Sequence, residues 1–243
     1  MKVVILAGGL GTRLSEYTDV VPKPMIKIGP HPIIVHIMSL YLKYGFKDFI
    51  IATGYKSYVF KKFFKGFRKS GKEFKAKILN KRCTINIIDT GQKTLTGGRL
   101  KRISSYLEKQ NDFMFTYGDG ISDVNLSRLL NFHKKNKKIV TVTAVRPPAR
   151  FGEIIIQNNK VKSFKEKPQT TKSWINGGFF VAKPKFLEFI RNDQEILEKK
   201  PLEKATNKNE LAAFKHFGFW KCMDVKRDRD ELQKIYKNNK FKF

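Results

Sequence analysis

The sequence predicts an α/β fold: a Rossmann-like, mainly parallel sheet flanked by helices, with a small antiparallel C-terminal addition. Three observations predict it. Short β-branched apolar runs alternate with helical periodicity through residues 1–146. The first run ends in a cluster of glycines, as the first strand of a ligand-binding α/β sheet does. After Pro147 the texture changes to strands with few helices between them. No segment rich in Gly, Pro or Ser divides the chain and no repeat is visible, so one domain is expected, with 1–146 as its core and 147–243 as an extension folded onto it.

The elements follow in order. Val3-Ala7, Phe49-Thr53, Ile85-Asp89, Phe113-Tyr117 and Ile139-Val145 read as buried strands. Helical patterns lie between them at Pro32-Tyr44, Tyr58-Phe67, Arg99-Glu108 and Leu126-Lys135. In the extension, Glu153-Gln157, Val161-Glu166 and Ile175-Ala182 are strands. Helices are expected near Pro184-Arg191 and Asp228-Lys237. Parallel crossovers should be right-handed.

Composition narrows the function classes. Hydrophobic residues make up 41% of 243 residues and aromatics 13%, enough to bury a core. No apolar run approaches the roughly 20 residues that cross a bilayer. The N-terminal run Met1-Leu6 leads straight into glycines and reads as a strand, not a signal peptide. Cys83 and Cys222 are isolated, which speaks against a disulfide framework, and the four histidines lack metal-ligand spacing. A cytoplasmic protein with no membrane partner is expected. Lys+Arg number 50 against 21 Asp+Glu, a net charge of +29. Such a balance raises nucleic acid, anionic membranes and phosphorylated substrates as partners. Only 11 of the 50 are Arg, the residue of bidentate recognition, and lysines are spread along the chain. Surface composition is therefore the expected meaning, with no specific nucleic-acid face. The stretch Lys61 to Arg82, with ten Lys/Arg and one acid, keeps the other option open.

The first chemical constellation is Leu6-Ala7-Gly8-Gly9-Leu10-Gly11-Thr12-Arg13-Leu14. Glycines beyond a strand end let backbone N–H groups approach phosphate oxygens, although they serve a tight strand-to-helix turn equally well. The spacing is neither the Rossmann fingerprint nor a Walker A loop. Arg13 and Val21-Pro22-Lys23-Pro24-Met25 sharpen it, because two prolines hold the Lys23 backbone stiff. A fixed Arg and Lys beside such a loop make a polyphosphate sink.

The second is Gly118-Asp119-Gly120, directly after a strand. An Asp there can approach a phosphate-bound cation, and the same tripeptide also suits a simple turn. Asp224 follows the aromatic run Phe217 to Trp220; Asp123 and Asp228 are its nearest competitors and read as surface or helix-capping residues.

These motifs, from G-G-x-G-T-R-L and P-K-P-M onward, resemble the sugar-1-phosphate nucleotidyltransferases over nearly the whole chain. Asp89-Thr90-Gly91, Thr94-Leu95-Thr96-Gly97-Gly98-Arg99-Leu100, Phe115-Thr116-Tyr117-Gly118-Asp119-Gly120, Phe164-Lys165-Glu166-Lys167-Pro168, Asn176-Gly177-Gly178-Phe179-Phe180 and Phe219-Trp220-Lys221-Cys222-Met223-Asp224 look like one branch. That branch joins CTP to glucose 1-phosphate, giving CDP-glucose for deoxysugar and O-antigen precursors. The resemblance implies a nucleotide-binding core, a sugar-binding extension, and Mg2+ held by Asp119 and Asp224. It implies Arg13 and Lys23 as catalytic cations. It places Leu6, Ala7, Gly8, Gly9, Leu10, Gly11, Thr12, Thr94, Gly98, Arg99 and Gly118 on the nucleotide with them. It places Tyr117, Glu166, Lys167, Asn176 and Gly177 on the sugar phosphate, although Glu166-Lys167 would otherwise pass for a solvated pair. Arg99, after two glycines, is expected to donate to O2 and N3 of cytosine. A homo-oligomer is implied, a hexamer in that branch, whose segment before strand three is longer and less basic than Gly66 to Arg82 here. The alternatives are the same chemistry on another sugar phosphate or NTP, and a non-catalytic basic binding protein on this scaffold.

Overall fold

The computed structural model describes residues 1–64, 68–70, 73–146, 153–165 and 173–238. In chain order the strands are β1 (Lys2–Leu6), β2 (Lys27–Ile28), β3 (His31–Pro32), β4 (Asp48–Thr53), β5 (Arg68–Ser70), β6 (Glu73–Ile78), β7 (Lys81–Asp89), β8 (Phe113–Tyr117) and β9 (Gly120–Ser122). They continue with β10 (Val140–Val145), β11 (Glu153–Gln157), β12 (Lys160–Lys165), β13 (Ile175–Ala182), β14 (Leu211–His216) and β15 (Trp220–Cys222). The helices are α1 (Ser15–Thr18), α2 (Ile33–Lys43), α3 (Ser57–Phe64), α4 (Thr96–Arg102), α5 (Leu126–Asn136), α6 (Lys200–Asn207) and α7 (Lys226–Lys237).

Among the described residues, nine strands form one sheet in the order β14-β10-β13-β8-β1-β4-β7-β6-β5. Its centre is parallel: β8, β1, β4 and β7 run side by side in one direction. The alternation of β1 explains why both faces are covered. Val3 and Ile5 face α2, α3 and α5, while Val4 and Leu6 face α4, α6 and the 3-10 turn Pro184–Phe189. On the second face Phe115 stacks on Phe180 with ring centroids 4.3 Å apart.

The small antiparallel addition is the β11–β12 hairpin, which forms its own two-stranded sheet. β13, expected beside that hairpin, instead enters the main sheet antiparallel between β8 and β10. The extension thus completes the core instead of resting on it. The elements not anticipated include β6, β14 and α6 beside the short β2, β3, β5, β9, β15 and α1. β6 alternates exposed Lys75 and Lys77 with buried Ala76 and Ile78, so part of the basic stretch is an ordinary outer strand. β14 forms one edge of the sheet, and α6 covers its second face. No described helix is long and apolar enough to cross a membrane.

Candidate active site

A cavity of about 520 Å3 opens at the carboxyl ends of β1 and β8, where an open α/β sheet binds ligands. The loop after β1 forms its floor. Gly11 adopts φ 68°, and a Cβ there would stand 2.8 Å from Thr18 Cγ2 and 3.2 Å from Lys23 Cβ. Glycine therefore answers two demands at once, a left-handed turn and the passage of the Lys23 stem. Pro22 and Pro24 bracket Lys23 in a 3-10 turn over Lys23–Met25, with Pro24 and Met25 buried.

Two short strands then bring distant aspartates together. β9 follows Asp119 and β15 precedes Asp224, and these strands pair antiparallel with Cys222 opposite Gly120. The Met223 amide donates to the Asp119 carbonyl at 2.9 Å. The Lys23 ammonium ends between the two carboxylates, 2.6 Å from Asp119 Oδ2 and 2.7 Å from Asp224 Oδ1. Burial opposes its charge, but the attraction of Asp119 and the hydrogen bonds to both carboxylates outweigh burial and raise its pKa. Arg13 Nη1 reaches Asp224 Oδ2 at 3.1 Å from a side chain that is 73% exposed. That pair contributes little stability, so its guanidinium is available to a ligand at low cost.

The donor set fits Mg2+. Two hard carboxylates converge on one cationic group, and Mg2+ is typically held by one or two carboxylates together with substrate phosphates. Among the described residues no third His, Cys, Asp or Glu joins them in a ligand cluster. Cys222 also lines the cavity, but burial, then the charges of Asp224 and Asp119, push its thiol up to about 11 and keep it neutral.

A second group of side chains closes the opposite wall. Asn176 Nδ2 donates to the Tyr117 hydroxyl at 3.1 Å, and Tyr117 donates to Glu198 Oε1. Thr96 Oγ1 donates to Glu198 Oε2 at 2.9 Å. Burial and the Glu198 charge raise the Tyr117 pKa, so it remains a hydroxyl donor. Trp220 Nε1 donates to the Gly177 carbonyl at 2.7 Å and ties β15 to β13.

Of the expected residues, Leu6, Ala7, Gly8, Gly9, Gly11, Thr12, Arg13, Lys23, Thr94, Arg99, Tyr117, Gly118, Asp119, Asn176 and Asp224 line this cavity. Three do not. Leu10 is 47% exposed on the far side of the loop. Gly98 serves packing: a Cβ there would stand 2.5 Å from the Asp193 Cα and oxygen. Gly177 is buried under Trp220 and Val145 and offers a carbonyl to the indole instead of space to a ligand. Glu166 and Lys167 lie outside the described residues.

Arg99 lines the cavity, but its guanidinium is turned to the protein. Nη1 donates to the Thr53 carbonyl (2.9 Å), Thr90 Oγ1 (2.7 Å) and the Gly91 carbonyl (2.9 Å), and Nη2 to the Gly8 carbonyl (2.8 Å). It is 3% exposed, and burial lowers its pKa. These bonds join the ends of β1, β4 and β7, so the geometry makes it a clamp on the glycine loop in place of a free reader of the base.

Leu95, Thr96, Glu198 and Trp220 belong to the site and were not anticipated. Glu198 sits in a segment with no motif around it. Thr96 and Leu95 stood inside the quoted Thr-Gly-Gly-Arg-Leu context, and Trp220 beside Asp224, so proximity to a motif was their only signal.

The whole-chain comparison agrees with this architecture. The nucleotidyl transferase family model matches residues 2–224, and the chain belongs to that family. It is 45% identical to the glucose-1-phosphate cytidylyltransferase of Salmonella typhi, over 99% of this chain and 97% of that one. It is 35% identical to the probable glucose-1-phosphate cytidylyltransferase of Bacillus subtilis, over 97% and 96%. The fold is shared with HddC from Yersinia pseudotuberculosis at a TM-score of 0.72 and 23% identity, covering 97% of this chain and 99% of that one.

Proposed function

We propose that this chain transfers a cytidylyl group from CTP to α-D-glucose 1-phosphate, giving CDP-glucose and pyrophosphate with Mg2+ as cofactor. The observation that carries the reading is the convergence of Lys23, Asp119 and Asp224 beside the glycine loop. Similarity to cytidylyltransferases along the whole chain supports the choice of substrates.

The nucleophile needs no general base. A sugar phosphate is largely dianionic at neutral pH, since the second pKa of a phosphate monoester is about 6. One of its oxygens attacks the α-phosphorus as the bond to pyrophosphate breaks in line. The obstacle is repulsion between anions, so the residues act by positioning and neutralising charge. The Gly8–Gly11 amides and Arg13 receive the departing pyrophosphate. Lys23 offsets charge at the reacting phosphate. Asp119 and Asp224 would hold the Mg2+, which when bound would supply positive charge to offset that of the phosphates. Tyr117, Asn176 and Glu198 form the wall for the hexose, and Lys167 steers its phosphate. Thr94 and the backbone at the start of α4 meet the base, on a loop whose shape Arg99 maintains. A homo-oligomer accords with the apolar face that the β11–β12 hairpin exposes through Ile154, Ile156, Val161 and Phe164.

The test is pyrophosphate release with CTP and glucose 1-phosphate, each omitted in turn, in wild type and Asp119→Asn. Release should need both substrates and Mg2+, and Asp119→Asn should lower turnover by at least about 10²-fold, the scale of losing one electrostatic stabiliser. Wild-type turnover of Asp119→Asn at saturating Mg2+ would remove Asp119 from the chemistry.

A further inference from the structure

Asp224 stands on a turn between β15 and α7, and α7 begins without a side chain able to cap it. Its N-cap residue is Val225, whose isopropyl group accepts no hydrogen bond. Asp228, one turn into the helix, supplies the acceptor. Its Oδ2 receives the Val225 amide at 3.0 Å and also the Asp224 amide at 3.0 Å. These two amides belong to the peptide planes on either side of the Asp224 Cα. Holding both planes fixes the direction of the Asp224 Cα–Cβ bond, hence where its carboxylate can reach. The other oxygen, Oδ1, lies 3.5 Å from Lys221 Nζ, and Lys221 also pairs with Glu231 at 2.5 Å. Strand, turn and helix start are thereby joined, and the Asp228 side chain is only 22% exposed.

We propose that Asp228 is a positioning residue for the metal site: it aims the Asp224 carboxylate at the point where Asp119 and Lys23 meet it. The inference rests on the reading of Asp224 as a metal-holding carboxylate. An ordinary helix cap would act on the stability of α7 alone. A positioning residue acts on metal affinity through the Asp224 amide, and outer groups that orient ligands typically change affinity by 10- to 100-fold.

Mn2+ binding in the presence of CTP, followed by electron paramagnetic resonance, separates the cases. Melting temperatures are taken alongside on wild type, Asp228→Ala, Asp228→Asn, Glu231→Gln and Asp224→Asn. Asp228→Ala should weaken Mn2+ by about 10-fold. Asp228→Asn should stay close to wild type, because its amide oxygen can accept the same two N–H groups although the charge is gone. Glu231→Gln removes the other partner of Lys221 without touching the Asp224 amide, and should leave Mn2+ affinity unchanged. Unchanged affinity in Asp228→Ala together with weakened binding in Asp224→Asn would overturn the positioning role. So would equal losses in Asp228→Ala and Asp228→Asn, which would mark a charge effect. If Asp228→Ala does not fold, a weakened Asp228→Asn overturns the proposal and a near-wild-type one supports it. Wild-type binding in Asp224→Asn would instead overturn the reading of Asp224 itself.

Discussion

Arg99 Nη2 donates to the Gly8 carbonyl at 2.8 Å, and a Cβ on Gly8 would stand 2.1 Å from Arg99 Nη1. The glycine and the arginine therefore require each other. The guanidinium fills the space a side chain at position 8 would need, and the absence of that side chain lets three strand ends share one donor group.

This relationship sets the expectation for Arg99→Ala. The substitution takes the guanidinium from the carbonyls of Thr53, Gly8 and Gly91; Thr53 still accepts from Thr90 and Gly8 from the Tyr55 amide, so the lost bonds and lost packing together cost about 2–4 kcal/mol. For a chain of this size that lowers Tm by roughly 5–10 °C. The glycine loop loosens, so kcat/KM should fall by similar factors for CTP, UTP and dTTP. Kinetics with the three nucleotides beside a thermal melt check this, and a loss confined to CTP would return Arg99 to the base. Gly8→Ala should produce the same two losses by pushing the guanidinium out of place.

Lys23→Met should lower turnover by at least about 10²-fold, because it removes the cation that the proposed reaction sets against the phosphate. It also carries a stability signature with a definite sign. The folded-state pKa of Lys23 is raised above the ordinary 10.5, so the ion pair stabilises the protein fully below 10.5. That stabilisation is lost as pH rises through the raised value. Denaturant titrations of wild type and Lys23→Met should differ by a constant amount from pH 7 to about 9.5 and converge at higher pH. A gap that closes below that range would place the stabilisation elsewhere.

Glu198 bridges Thr96 and Tyr117 across the wall assigned to the hexose. Glu198→Ala should raise KM for glucose 1-phosphate by roughly 10-fold, the scale of losing one hydrogen bond to a charged group. KM for CTP should change far less. Steady-state kinetics with each substrate varied in turn separates the two, and equal shifts would assign Glu198 to the general shape of the cavity.

Much of this molecule was legible in its sequence, for physical reasons. Phe113–Tyr117 and Ile175–Ala182 are strands at the expected residues because their apolar runs are buried on both faces. The loop after β1 and Pro22-Lys23-Pro24 declare themselves because a glycine turn and a doubly proline-bracketed lysine have few other uses. Lys-rich β6 escaped notice because its outward lysines matched the charge of the whole stretch and hid its inward Ala76 and Ile78. β13 could not be placed from its own residues, since its place between β8 and β10 is set by long-range antiparallel pairing with both. Glu198 is the same kind of case. Its role comes from a loop folding back on α4, where the Leu197 amide meets Thr96 Oγ1 at 2.9 Å, and no local pattern records that. Arg99 was legible as important but not in its direction, because a sequence does not tell a guanidinium facing a ligand from one facing backbone carbonyls.

Nucleotide choice is decided by kcat/KM for pyrophosphate release with glucose 1-phosphate and each of CTP, UTP, dTTP and GTP. CTP should be preferred over every other nucleotide, with CDP-glucose as the product. A clear preference for dTTP, UTP or GTP, or no release with any of the four, would contradict the proposed function.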